Sequence, residues 1–240
     1  MKRESPPPSN SKPKVSWSAD IVILGKSKPS YSRKYGLVYC MAGVWKWSGE
    51  WVRLYPVGFE AGYPIRKFDI VRVGIREFNP EPHRPESLKI HPSLIKRVGS
   101  VRMIEDQLEI LNKYTEHGGL LHGDEWRRRS LGLIKPIDPK FEAKDEHYVE
   151  VKYRCDYPNC TGHTGEVFDS DLDVTKKGLE ELRRRLRWFE RQELYFVMGT
   201  MAYHPHRWII VAVHSFGLDE GILKDIVAEY WEARKKELGD

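Results

Sequence analysis

The chain has 240 residues, 40% apolar and 31% charged, with 8 Trp, 12 Tyr, 8 Phe and a formal charge of +5. That apolar content supports a real core, but no run approaches the roughly 20 apolar residues that a membrane-spanning helix requires. Three cysteines make no disulfide framework and the first 14 residues carry no apolar signal core, so a reduced, cytoplasmic protein with no membrane partner is expected.

Residues 1–14 are rich in Pro, Ser and Lys, and the composition predicts a disordered basic tail. Ala19–Gly25 is a short buried run, and 27–34 reads as a polar loop. Leu37–Trp47 and Trp51–Val57 flank Ser48-Gly49-Glu50, which predicts a hairpin. Phe68–Arg76 alternates as a strand, 77–92 reads as a long Pro-rich loop, and Ile95–Val101 as a further strand. Strands at this spacing predict a barrel-like β-rich domain over 15–114, closing with a helix over Arg102–Tyr114. The Gly- and Arg-bearing stretch 115–130 reads as a connector.

The second half, 131–240, predicts an α/β domain. Leu131–Pro136, Tyr148–Cys155, Gly165–Asp169, Leu194–Met201 and Trp208–Phe216 are its strands. Helices are expected over Val174–Arg191, capped by Asp173, and over Leu218–Leu238. The fold class is therefore α+β. Scarce Gln (2) and Asn (4) in a Lys- and Glu-rich chain point to a thermophile.

Cys155-Asp-Tyr-Pro-Asn-Cys160-Thr-Gly-His163 concentrates two thiols and an imidazole around a turn. These are preferred Zn²⁺ ligands, so Cys155, Cys160 and His163 form a candidate zinc knuckle. His204, His206, Asp169 and Cys40 are candidates for a fourth ligand. The plain alternative is two semi-buried cysteines on a turn beside a surface histidine.

Two catalytic arrangements are conceivable. Asp138, Glu150 and Lys152 have the Asp…Glu-x-Lys pattern of metal-dependent nucleases, in which two acids hold Mg²⁺ or Mn²⁺ and the lysine steadies phosphate. His163 with Asp169 and Asp171 could perform acid–base work, although acids ahead of a helix are ordinary capping material. No phosphate-cradling Gly-rich loop or serine-nucleophile elbow occurs.

Basic residues interleave with aromatics. Arg33 and Lys34 lie beside Tyr31 and Tyr35; Arg53 and Tyr55 lie on the hairpin with Trp45, Trp47 and Trp51; Arg127 and Arg128 lie in the connector. On the 174–191 helix, Leu179, Leu182, Leu186 and Phe189 share one arc, with Arg184, Arg187, Trp188 and Arg191 opposite. Guanidinium groups near exposed rings suit a nucleic-acid backbone and its bases, DNA or RNA. Against this, some tryptophans must form the core, and Arg53 could pair with Glu50 or Glu60.

The strings CMAGVWKWSGEWVRLYPVGF (40–59), SLGLIKP (130–136) and CDYPNCTGH followed by Asp169 resemble a poorly characterised prokaryotic family with Cys-x-Ala-Gly, Trp-x-Arg-Leu-Tyr-Pro-Val and Cys…Cys-x-Gly-His…Asp elements. The resemblance brings no mechanism. It implies that Cys40, Arg53, Tyr55, Cys155, Cys160, His163 and Asp169 belong to one design. The leading expectation is a nucleic-acid-binding protein with a zinc knuckle. The alternatives are a metal-dependent, nuclease-like phosphodiesterase and a non-catalytic protein-interaction module.

Overall fold

The computed structural model describes residues 17–78, 81–117, 119–144, 149–172 and 179–217, with backbone alone for 179–181. The expected tail over 1–14, the Asp173 cap and the helix over 218–238 lie outside these residues. Among the described residues, no helix is long and apolar enough to cross a membrane. Among the described residues the chain is mostly β, forming two six-stranded sheets accompanied by three α-helices.

The first sheet holds β1 (Trp17–Lys26), β2 (Ser30–Ser32), β3 (Gly36–Trp45), β4 (Trp51–Gly58), β5 (Asp69–Phe78) and β6 (Ser87–Ser100), with α1 (Phe59–Gly62) between β4 and β5. Its order is β1-β5-β6-β4-β3-β2, and β3 also pairs back to β1. Five strands thus close into a ring with β2 attached at its margin. Closure brings backbones very near at Gly43, where an added Cβ would lie 2.4 Å from the Val22 carbonyl oxygen. Only glycine allows that approach.

The hairpin around Ser48-Gly49-Glu50 forms as expected: Gly49 has φ 76° and donates to the Trp45 carbonyl at 2.8 Å. Two segments differ from expectation. β2 arises within the polar loop, and β6 begins at Ser87, eight residues before the run that signalled it. Pairing with β4 and β5 holds those early residues in the sheet despite Pro92.

The second sheet holds β7 (Leu131–Ile134), β8 (Ile137–Ala143), β9 (Val149–Arg154), β10 (His163–Val167), β11 (Glu193–Thr200) and β12 (Trp208–Phe216), in the order β7-β11-β12-β10-β9-β8. β8 was not legible in the sequence. It is an edge strand whose charges and Pro139 break the apolar signal while protecting the open edge.

One face of this sheet packs under α3 (Leu179–Phe189). Leu182, Leu186 and Phe189 bury against Val151, Phe196 and Met198, as the helical arc predicts. The opposite face packs on the first sheet. Leu131, Leu133, Tyr195, Val197 and Val211 meet Val22, Leu24, Ala42 and Val44, with Leu111 of α2 (Ile104–Tyr114) closing the seam. This explains the uninterrupted apolar run in β1: Ile21 and Ile23 face the ring's interior, while Val22 and Leu24 face the second sheet. A strand buried on both sides loses its alternation.

Polar groups fasten the seam as well. Lys67 donates to Asp169 Oδ2 at 2.6 Å and to the Val213 carbonyl at 2.9 Å, and the buried His214 donates through Nε2 to the Leu24 carbonyl at 2.6 Å. Arg53, only 4% exposed, donates through Nη2 to the Ser130 carbonyl at 2.7 Å.

Candidate metal centre and nucleic-acid interface

β9 alternates inward Val149, Val151 and Tyr153 with outward Glu150, Lys152 and Arg154. Cys155 continues the inward series just beyond the strand and is buried. The chain then turns through Pro158 and Asn159. Asn159 takes φ 63°, and the Cys160 N–H donates to the Tyr157 carbonyl at 3.1 Å. Asparagine tolerates that left-handed backbone better than most side chains do. Gly162, at φ 115°, starts the return, and His163 pairs directly with Tyr153. Cross-strand partners share a face, so Cys155 and His163 lie together.

Three sequence candidates therefore converge, and a fourth residue joins them. His122 Nε2 lies 3.2 Å from Cys155 Sγ, Cys155 Sγ lies 3.4 Å from His163 Nε2, and Cys160 Sγ lies 3.3 Å from His163 Nε2. The ligand atoms of all four lie within 4.8 Å of one another, so the cluster could hold a metal ion. The His122 ring stacks on Tyr157 at 4.1 Å, and buried Leu120 anchors the loop.

Burial pushes the Cys155 thiol up. At Cys160 burial acts the same way but is outweighed by backbone hydrogen bonds at Cys155 and Gly162, leaving that thiol lowered. Burial, with His122 adding to it, lowers His163 and favours the neutral imidazole a metal needs.

His122 replaces every expected fourth ligand. It stands in the 115–130 stretch, 33 residues before Cys155, where no local spacing marks it. Asp169 is fully buried at the seam, accepting from Lys67 and from the backbone N–H groups of Asp171 and Val213. Cys40 Sγ accepts from Arg53 Nη1 at 3.5 Å. His206 sits edge-on to Trp126 at 6.3 Å, with His204 beside it.

The catalytic sets do not assemble. Asp138 pairs with Arg154 at the start of β8, and Glu150 pairs with Lys144. Four strand positions separate Glu150 from Arg154, about 13 Å, so the two acids do not share one Mg²⁺ or Mn²⁺. Glu150 instead lies between Glu142 and Glu166 across the sheet. Asp169 and Asp171 both engage Lys67, away from His163.

What surrounds Lys152 is more informative. It lies directly between Lys140 of β8 and Thr164 of β10. Lys140, Lys152, Arg154, Thr161 and Thr164, together with Asp138, line a groove of about 390 Å³ that also borders His163. Like charges directly opposite across strands are destabilising. Lys140 also reaches Glu190 at the end of α3 at 3.5 Å.

The other basic candidates scatter. Arg53 is internal, held by Ser130 and Cys40 rather than by Glu50 or Glu60, and so is removed from any solvent-facing role. Tyr55 is half-buried on β4. Arg33 and Lys34 are exposed on the β2–β3 turn, with Lys34 over Tyr35 at 5.3 Å. Arg127 stacks on Trp126 at 5.1 Å and pairs with Asp124, and Arg128 is exposed beside it. Arg184, Arg187 and Arg191 are exposed on and just beyond α3. Trp188 is half-buried against the core under α3, with its indole nitrogen unpartnered among the described residues, and is not the exposed stacking ring expected.

Residues 18–113 match a family model described as a domain of unknown function, DUF8758. No curated protein matches. Among solved structures, an Ifi202 HINa domain in complex with 20bp dsDNA aligns at TM-score 0.37 and 9% identity, covering 84% of this chain and 97% of that one. The p204 HINb domain aligns at TM-score 0.34 and 14% identity, over 82% and 93%. A Replication Protein A heterotrimer bound to ssDNA aligns at TM-score 0.38 and 9% identity, over 96% of this chain and 55% of that one. Scores this low carry no function from those proteins to this one.

Proposed function

We propose that this is a nucleic-acid-binding protein of the cytoplasm, in which units 15–114 and 131–240, joined through 115–130, combine a small closed β-ring with a zinc-braced sheet. The carrying observation is the basic groove beside the Cys/His cluster. Lys140 and Lys152 face each other, with the Arg154–Asp138 pair one row away, and the two facing ammonium groups favour an anionic ligand. Thr161 and Thr164 add hydroxyl groups that suit phosphate oxygens. Lys140 pairs with Glu190 just past α3, near the exposed Arg187 and Arg191. Closed five-stranded rings serve as frameworks for oligonucleotide binding elsewhere, but the chemistry of the groove is what supports the reading here.

Two thiolates and two imidazoles favour Zn²⁺. Zn–S bonds of about 2.3 Å and Zn–N bonds of about 2.0–2.1 Å give tetrahedral S···N edges of about 3.5 Å, close to the 3.2–3.4 Å separations here. Four protein ligands would close the coordination sphere. The ion would then brace the β9–β10 turn against the 115–130 loop and hold the groove's wall in place, with no open position for chemistry.

The test is binding of single-stranded and duplex DNA and RNA across a salt series. Binding that weakens steeply with salt, and falls on Lys152→Ala, supports the proposal. No binding at low salt rejects it.

A further inference from the structure

At one end of the first sheet, aromatic rings gather in the open. Trp17 begins β1, Phe78 ends β5, and Trp47 stands on the β3–β4 turn; they are 44%, 49% and 67% exposed. Trp17 is central, with ring centroids 5.7 Å from Phe78, 6.5 Å from Trp47 and 5.8 Å from the buried Trp45. Trp45 ties the group to the core. Three large rings left in water at adjoining strand ends form a contiguous apolar patch, which marks an interaction surface.

A groove of about 520 Å³ runs between Trp17 and Trp47 and is bordered by Asp20, Lys46 and Arg72. Arg72 grips Asp20 with two hydrogen bonds, 2.8 and 3.0 Å. The acid in the groove is thereby neutralised, and Lys46 leaves the rim positive. Flat rings with a cationic rim are complementary to one kind of ligand, a flat ring carried on an anionic chain.

We infer that Trp17, Trp47 and Phe78 form a stacking platform for the unpaired bases of a single-stranded nucleic acid, with Lys46 and Arg72 beside its phosphates. This rests on the nucleic-acid reading above and adds a preference for single strands. A base inside a duplex has no free face to offer, whereas every unpaired base does, so such a platform tolerates any sequence.

The test titrates the full chain with three ligands of equal length: a single strand, a duplex and an abasic strand with the same phosphates. Trp47→Ala is the main variant, since Trp47 sits on a turn outside the core. Trp47→Phe is the conservative control, and Lys152→Ala reports on the phosphate groove. Loss of one stacked base is expected to weaken single-strand binding about five- to a hundredfold. Duplex and abasic binding should be unchanged by Trp47→Ala, Trp47→Phe should restore much of the affinity, and Lys152→Ala should weaken all three ligands.

If the wild type binds the single strand and Trp47→Ala binds it equally well, the platform is refuted while the nucleic-acid reading stands. If the wild type binds none of the three at low salt, both fall. If Trp47→Ala instead converts a dimer to a monomer without changing affinity, a second copy covers the rings and the inference is overturned.

Discussion

The Nζ of Lys67 lies 2.6 Å from Oδ2 of Asp169, joining the segment before β5 to the segment after β10 across the seam between the sheets. Asp169 has no exposed surface and accepts two backbone N–H groups besides, from Asp171 and Val213 at 2.9 and 2.8 Å. A residue with the appearance of a metal ligand or catalytic acid thus serves to dock one sheet on the other.

Asp169→Ala should therefore cost about 3–5 kcal/mol, since it leaves two backbone amides without their acceptor and the largely buried Lys67 ammonium with only Asp171 and the Val213 carbonyl. Lys67→Met should cost less, because the carboxylate keeps its two backbone donors. Urea unfolding of both variants checks the order. Burial alone would lower the Lys67 ammonium, but Asp169 and then Asp171 outweigh it and hold it above the ordinary lysine range. Its contribution is accordingly present below pH about 10.4 and lost as pH rises through the folded-state value. Oligonucleotide binding under conditions where Asp169→Ala remains folded should be little changed.

His214 supplies acid sensitivity at the same seam. Burial, then the nearby Lys67 charge, lowers its pKa to about 3, while the hydrogen bond to Leu24 opposes them. Below pH about 6.5 the unfolded chain takes up a proton that the folded chain refuses, so stability falls with pH until the folded value is reached. Between pH 6.5 and 4.5 this one group should remove roughly 2–3 kcal/mol. His214→Gln, which keeps a donor for the Leu24 carbonyl, should flatten that part of the profile in unfolding measured at stepped pH.

Protein purified without a polyhistidine tag should carry one zinc per chain by elemental analysis. His122→Ala should lower zinc retention as severely as Cys160→Ser, although His122 stands far from the knuckle in sequence. Chelator treatment of the wild type should lower its Tm, with about 2.7 kcal/mol at stake for a site held at a hundredfold over its Kd. A cluster without a metal would give no zinc and a Tm indifferent to chelator.

Lys152→Ala should reduce the salt dependence of binding by about one phosphate contact, a slope change near one on logarithmic axes. Lys140→Ala should do the same. Lys135→Ala should not, since Lys135 lies outside the groove. Equal slopes for all three variants would remove the groove from the interface.

Much of the local structure was written in short stretches of sequence. The hairpin through Gly49, the arc Leu182-Leu186-Phe189 and the convergence of Cys155, Cys160 and His163 each depend on residues within a few turns or one strand pair. There the 3.6- and 2-residue periods and the chemistry of turns decide the outcome. Only tertiary structure could decide the rest, because it depends on which distant strands become neighbours. Strand pairing set Lys140 against Lys152, and the packing of the 115–130 loop brought His122 to the thiols. Closure of the seam turned Arg53 and Asp169, which read as a nucleic-acid contact and a metal ligand, into buried fasteners. Sequence spacing reports the reach of a side chain along its own element and is silent about the partner across a sheet, so the chain determined its ligand types and left their company to the fold.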